Sequence, residues 1–327
     1  MKYLLSSILA ILATAALATD VIWQADAGPH HPQIPMDGTS HVVATPDGGA
    51  FAAYIASHTL KGDTYYSTGV VKFSSTGTVQ WRDYFESARG AVLGLDSFGN
   101  IYATIFPAAI DHWSEFSPRT RKYAPDGTLL WEYSQGWGRS SLDMIVEPNG
   151  TWYLADFNWN GSTASVQKIS ASGTLIWERE ALTNELSITR DHSGDIVVLD
   201  GSTLTVLDEN GNTLRTLSIP GWLLRKERTA FGPENEVYLA NPLRSYDSLG
   251  NLRWERTFPD VVETVACDGY IVFVTTRTSA LWLDRSGNTL KQVALQGVPF
   301  GPSSLDGLGN LWVMHYTLLY RLRQNPG

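Results

Sequence analysis

Pro125-Asp126-Gly127-Thr128-Leu129-Leu130-Trp131 carries the main structural signal in this chain. A glycine that accepts positive φ, followed by a run of strand formers ending in Trp, describes a tight turn that delivers a β-strand. The phrase recurs as Ser75-Thr76-Gly77-Thr78-Val79-Gln80-Trp81, as Ala171-Ser172-Gly173-Thr174-Leu175-Ile176-Trp177 and as Ser248-Leu249-Gly250-Asn251-Leu252-Arg253-Trp254. Weaker copies run from Glu209 to Arg215 and from Arg285 to Lys291, with Arg215 and Lys291 in the Trp position.

A second phrase alternates with the first. Gly99-Asn100-Ile101-Tyr102, Gly150-Thr151-Trp152-Tyr153, Gly194-Asp195-Ile196-Val197, Gly269-Tyr270-Ile271-Val272 and Gly309-Asn310-Leu311-Trp312 carry it, with looser versions at Gly49 and Asn235. These turns recur about every forty residues, which is a propeller-blade period. Two hairpins per period give four strands per unit. The expectation is an all-β fold, a seven-bladed β-propeller of four-stranded blades, occupying residues 19–327 as one domain.

The last unit lacks its fourth strand, and the other end of the chain supplies a match. Val21-Ile22-Trp23-Gln24 lines up with Leu129-Leu130-Trp131-Glu132. The N-terminal strand is therefore expected to complete the last blade and close the ring, leaving the array no open end.

Residues 1–18 read as a signal peptide: Lys2 provides positive charge, Leu4–Leu17 an apolar stretch, and Ala16-Leu17-Ala18 a cleavage site. The expected product is secreted or periplasmic, without a membrane anchor, and monomeric. One cysteine, Cys267, excludes an internal disulfide. A net charge of -9 with no basic run argues against nucleic acid.

The Gly77/Trp81, Gly127/Trp131, Gly173/Trp177 and Gly250/Trp254 spacings resemble the pyrroloquinoline-quinone-like propeller repeats of bacterial exported proteins, in which Gly and Trp dock neighbouring blades. Gly309-Asn310-Leu311-Trp312 is also similar to the repeats of the seven-bladed streptogramin lyase family. The first resemblance implies a fold more than an activity, and a quinone cofactor is disfavoured because many quinone enzymes of that superfamily use a vicinal cysteine pair this chain lacks. The lyase resemblance implies metal-assisted chemistry.

If both phrases are turns on one face, length variation falls on the opposite face, where recognition usually sits. The long connections there are Ser57–Gly69, Phe106–Thr120 and Phe157–Ser165. Their aromatic residues, together with the connection after Gly136, nominate Tyr65, Tyr66, Trp113, Phe116, Trp137, Arg139 and Trp159 as ligand-binding residues. Flat aromatic faces suit a carbohydrate, peptide or protein partner. Packing of these loops on one another is the competing explanation. A second cluster is histidine-rich. His30, His31, His58 and His112 are candidate ligands for a divalent metal, and His58, His112 and Glu115 candidate catalytic groups. No G-x-S-x-G elbow, P-loop, dinucleotide fingerprint or H-E-x-x-H motif is present. The leading reading is a binding or scaffold protein; the alternative is a metal-assisted lyase or hydrolase on the same face.

Overall fold

The computed structural model describes residues 21–26, 36–60, 63–86, 88–107, 118–134, 139–158, 162–181, 186–219, 229–240, 242–294, 303–305, 310–315 and 318–322. The strands assemble almost entirely in chain order. The first sheet is β2 (Met36–Ala44), β3 (Ala50–Leu60), β4 (Asp63–Phe73) and β5 (Val79–Glu86), preceded by β1 (Val21–Asp26). The second is β6 (Ala88–Leu95), β7 (Ile101–Pro107), β8 (Arg119–Tyr123) and β9 (Leu129–Ser134). The third is β10 (Arg139–Val146), β11 (Trp152–Asn158), β12 (Thr163–Ile169) and β13 (Leu175–Ala181). The fourth is β14 (Leu186–Arg190), β15 (Ile196–Asp200), β16 (Thr203–Leu207) and β17 (Thr213–Ser218). The fifth is β18 (Thr229–Phe231), β19 (Val237–Leu239), β20 (Leu243–Tyr246) and β21 (Leu252–Arg256). The sixth is β22 (Val262–Asp268), β23 (Ile271–Thr276), β24 (Ser279–Leu283) and β25 (Thr289–Ala294). Finally, β26 (Ser303–Leu305), β27 (Leu311–His315) and β28 (Leu318–Leu322) form a sheet with β1 in the order β1-β28-β27-β26. The described residues thus form seven four-stranded antiparallel sheets, the architecture of a β-propeller.

Among the described side chains of the first six sheets, the inner strands are buried and the outermost one is more exposed. β11 is buried from Trp152 to Phe157, whereas β9 and β17 alternate between exposed and half-buried positions. The core is correspondingly a set of inter-sheet layers. Phe51, Val70 and Phe85 of the first sheet pack with Leu93, Ile105 and Tyr123 of the second. Tyr102 meets Trp152 and Leu154 across the next gap. Similar clusters join the third to the fourth sheet, the fourth to the fifth, the fifth to the sixth, and Phe273 and Trp282 to Leu311 and Leu322. Trp312 packs with Val42, Tyr54 and Phe73 of the first sheet.

The repeated Trp does what its spacing predicts. The indole Nε1–H groups of Trp81, Trp177 and Trp254 donate to the carbonyls of Pro125, Glu209 and Arg285, each in the turn of the following sheet. Those carbonyls lie two residues before Gly127, Gly211 and Gly287, and a Cβ on Gly127 would stand 2.9 Å from Trp81 Cγ. Where Arg215 replaces Trp, its Nη1 donates to Ser248 O, the corresponding carbonyl, and Nη2 reaches Asp191 Oδ2.

One register feature accompanies every outer strand. Lys72 faces Trp81 while Phe73 faces Val79, so Gln80 is skipped by the ladder. The same one-residue bulge skips Leu130, Ile176, Leu214, Arg253 and Leu290. It also skips Ile22, which puts Trp23 opposite Arg321 at the register of the other repeated Trp residues. A bulge leaves its extra residue unpaired and turned away from the ladder. That accounts for exposed Leu130, Ile176, Leu214 and Leu290.

Four turns share an Asp that the sequence reading passed over. Asp96, Asp208, Asp247 and Asp284 each accept backbone N–H groups two and four residues on, and the Nδ2–H of the Asn four residues on. The Gly-Asn phrase is therefore the second half of an Asp-x-x-Gly-Asn turn, in which the carboxylate satisfies backbone groups the sheet leaves over.

Candidate functional site

The turns built on Gly and Asn occupy one face of the sheets, and the connections between second and third strands, or from one sheet to the next, occupy the other. His192 lies in the β14–β15 turn and so on the short-turn side. On the opposite side the first sheet differs from the rest. Ser57–Gly69 was expected to be a loop, but β3 and β4 each run for 11 residues and pair without interruption from Ala50↔Phe73 to Leu60↔Asp63. β2 stops pairing at Ala56 and β5 at Ser67. Among the described residues, 57–60 and 63–66 therefore continue as a two-stranded arm beyond the pairing with β2 and β5. Thr64, Tyr65 and Tyr66 are residue types that favour extended backbone, which the loop reading underweighted.

His58 and Tyr65 are opposite each other in this arm, and Ser57 is opposite Tyr66, which is partly buried. Phe157 also proves to be strand, buried in the layer between the third and fourth sheets, so only residues 159–162 separate β11 from β12. His30, His31, His112, Trp113, Glu115, Phe116, Trp137 and Trp159 lie outside the described residues. Among the described residues, no three His, Cys, Asp or Glu side chains gather closely enough to hold a metal ion.

Arg139 has the most closely defined surroundings of the expected site residues. It begins β10 and pairs in register with Asn158. Its Nη1 donates to Asp156 Oδ2 at 2.5 Å and to Glu178 Oε1 at 3.0 Å. Ser165 Oγ–H faces two acceptors, Asp156 Oδ1 at 2.5 Å and Glu178 Oε1 at 2.7 Å, and Gln167 donates to the same Glu178 oxygen at 3.1 Å. The Asp156 side chain is fully buried, and that burial holds its pKa above the usual carboxylate range despite Ser165 and Arg139. Glu178 is pulled below its usual range, because the hydrogen bonds from Ser165, Gln167 and Arg139 outweigh its partial burial. Arg139 is thus tied into the third sheet, between strands β10, β11 and β13. Asp156, Ser165 and Glu178 were not legible as its partners, since they lie 17, 26 and 39 positions along the chain.

Further inside, two polar contacts bridge adjacent sheets at one repeated position. Leu93 N–H donates to His41 Nδ1 at 3.2 Å, and Ile188 N–H donates to Asp143 Oδ2 at 3.0 Å. His41 and Asp143 each precede the end of their strand by three residues, at Ala44 and Val146. An imidazole that accepts at Nδ1 carries its hydrogen on Nε2, so His41 serves here as a backbone acceptor.

No family model matches the chain, and no curated protein matches it in sequence. Solved structures do match. The WD40 domain of Pan2 from Neurospora crassa superposes with a TM-score of 0.64 at 12% identity, over 95% of this chain and 97% of that one. BBS1N in complex with ARL6DN gives 0.61 at 8% identity, over 93% and 96%. BamB from Moraxella catarrhalis gives 0.50 at 10% identity, over 89% and 99%. At such identities the likeness is one of fold.

Proposed function

We propose that this chain is an exported, seven-bladed β-propeller that acts as a binding or scaffold protein, holding a protein partner on the face that carries its long connections. The observation that carries the reading is the β3–β4 arm, whose residues 57–60 and 63–66 pair with each other beyond the last described partners in β2 and β5. Its cross-strand positions hold His58, Tyr65 and Tyr66, and Trp113 and Phe116 fall in sequence between β7 and β8 of the following sheet. Pairing of β1 with β28, and packing of Trp312 on the first sheet, support closure of the ring by the N-terminal strand. A closed ring is a rigid platform from which an arm and loops can be presented. A related fold, BBS1N, has been solved in complex with ARL6DN, which supports a protein partner over a small substrate. Export rests on the apolar segment before Ala18 and the cleavage pattern there.

The test uses the mature chain from Thr19 as bait, with three variants: Trp113→Ala, Trp137→Ala, and an arm in which residues 58–65 are replaced by a two-residue turn. A partner held by the wild type and lost by these variants, at unchanged melting temperature, is the expected result. A partner retained equally by all three would remove the long-connection face from consideration. Cell fractionation tests export, with retention of an uncleaved chain in the cytoplasm the contrary result.

A further inference from the structure

A cavity of about 320 Å³ opens on the same side of the ring but between the fifth and sixth sheets, away from the arm. Its walls come from the connection 257–261, which links β21 to β22, from the β23–β24 hairpin and from Gln292 of β25. The volume is at the small end of the roughly 300–1,000 Å³ typical of small-molecule sites.

Two charged residues line it, and they do not pair. Asp260 Oδ1 accepts the Val261 N–H at 2.9 Å, while Asp260 Oδ2 is buried and has no hydrogen-bond partner among the described residues. Arg256 lies with its guanidinium 4.8 Å from the Phe258 ring and donates through Nη1 to Gly287 O at 2.7 Å. It makes no ion pair among the described residues, whereas the nearby Arg277 and Glu263 are paired at 3.2 Å. Phe258, Pro259 and Leu281 supply an apolar wall. A carboxylate oxygen withdrawn from water without a donor is costly, and Asp260 Oδ2 stands in that state. Arg256, which gives one N–H to Gly287 O, keeps its charge without a carboxylate partner among the described residues.

We infer that this cavity is a binding site for a small free zwitterion of amino-acid type. Its ammonium meets Asp260, its carboxylate meets Arg256, and an apolar side chain lies against Phe258 and Leu281. One ligand charge then answers each unpaired group, and the net charge of the filled pocket does not change. This site is independent of the partner-binding face proposed above, since it uses neither the arm nor the connections of the first three sheets.

The test is calorimetric titration of the mature chain with three probes: L-phenylalanine, N-acetyl-L-phenylalanine, which lacks the ammonium, and L-phenylalaninamide, which lacks the carboxylate. The expected result is saturable binding of L-phenylalanine, with each blocked derivative at least tenfold weaker. Asp260→Asn is expected to abolish the preference for a free ammonium and Arg256→Gln the preference for a free carboxylate. Equal binding of all three probes by the wild type would overturn the inference, and so would no binding of L-phenylalanine at roughly ten times a millimolar Kd. The probe comparison is made on the wild-type chain and so does not depend on either variant folding.

Discussion

Trp81 and Gly127 are built for one another across the gap between the first two sheets. The indole donates to Pro125 O at 3.0 Å, and its ring covers Gly127, whose φ of 93° lies where side chains are disfavoured. A Cβ there would also strike Trp81 Cγ at 2.9 Å. Gly127→Ala is therefore expected to lower unfolding free energy by about 1–3 kcal/mol through backbone strain, with the steric clash adding to it. Trp177→Ala, at the corresponding position of the third sheet, is expected to cost about 3 kcal/mol. Chemical denaturation read by circular dichroism measures both, and a loss below half a kcal/mol in either would show that the contact is incidental.

Arg139 separates structural from binding roles on the long-connection face. Removing it leaves Asp156 buried without its cation, at an expected cost of roughly 3 kcal/mol. Asp156→Asn added to Arg139→Ala is expected to recover most of that loss, because an amide needs no counter-charge. If Arg139→Ala leaves stability unchanged yet weakens a partner, its role is recognition.

Asp143 holds the third and fourth sheets together by accepting from Ser187 Oγ–H and Ile188 N–H. Asp143→Ala orphans that backbone donor and is expected to destabilise by about 2 kcal/mol. Asp143→Asn, which keeps an acceptor, should cost less. Hydrogen exchange at Ile188 gives the local readout, with selective loss of protection expected in Asp143→Ala.

Acid should weaken the Asp-x-x-Gly-Asn turns. Hydrogen bonds from Asn212, Asn251 and Asn288 hold Asp208, Asp247 and Asp284 below the usual carboxylate value of 3.8. Stability from a depressed carboxylate is present above its unfolded pKa and disappears as pH falls through the folded one. The melting-temperature difference between the wild type and Asp247→Ala should therefore be largest at neutral pH and shrink below about pH 4. Asp156 and Asp191, raised by burial, act in the opposite sense. A difference that is constant from neutral pH to pH 3 would remove the Asp247 carboxylate from this account.

Cys267 is a strand residue whose burial pushes its thiol pKa up to about 12. At neutral pH the thiolate that reacts with disulfide reagents is nearly absent. Labelling of the folded chain is expected to be on the order of a hundredfold slower than in denaturant. Equal rates would mean that the strand opens readily.

The β-propeller was legible because its determinants are local. Gly127 needs positive φ for its own turn, Trp131 follows at a fixed spacing, and the copies repeat at one period, so the strands and turns follow from neighbours in sequence. The Trp23 alignment was legible for the same reason: a repeated phrase carries its register with it, even to the other end of the chain. Arg215 was visible only as a departure from the pattern. Its substitution for an indole donor depends on Ser248 and Asp191, brought near by the stacking of sheets. The arm was misread because a polar, Tyr-rich segment looks like loop until continuous pairing of β3 with β4 shows otherwise. The union of Arg139 with Asp156 and Glu178 was decided by tertiary structure alone, and so was the cavity that Arg256 and Asp260 line without pairing. Turn and strand preferences act over a few residues, whereas burial and charge pairing depend on which sheets the stacking brings into contact.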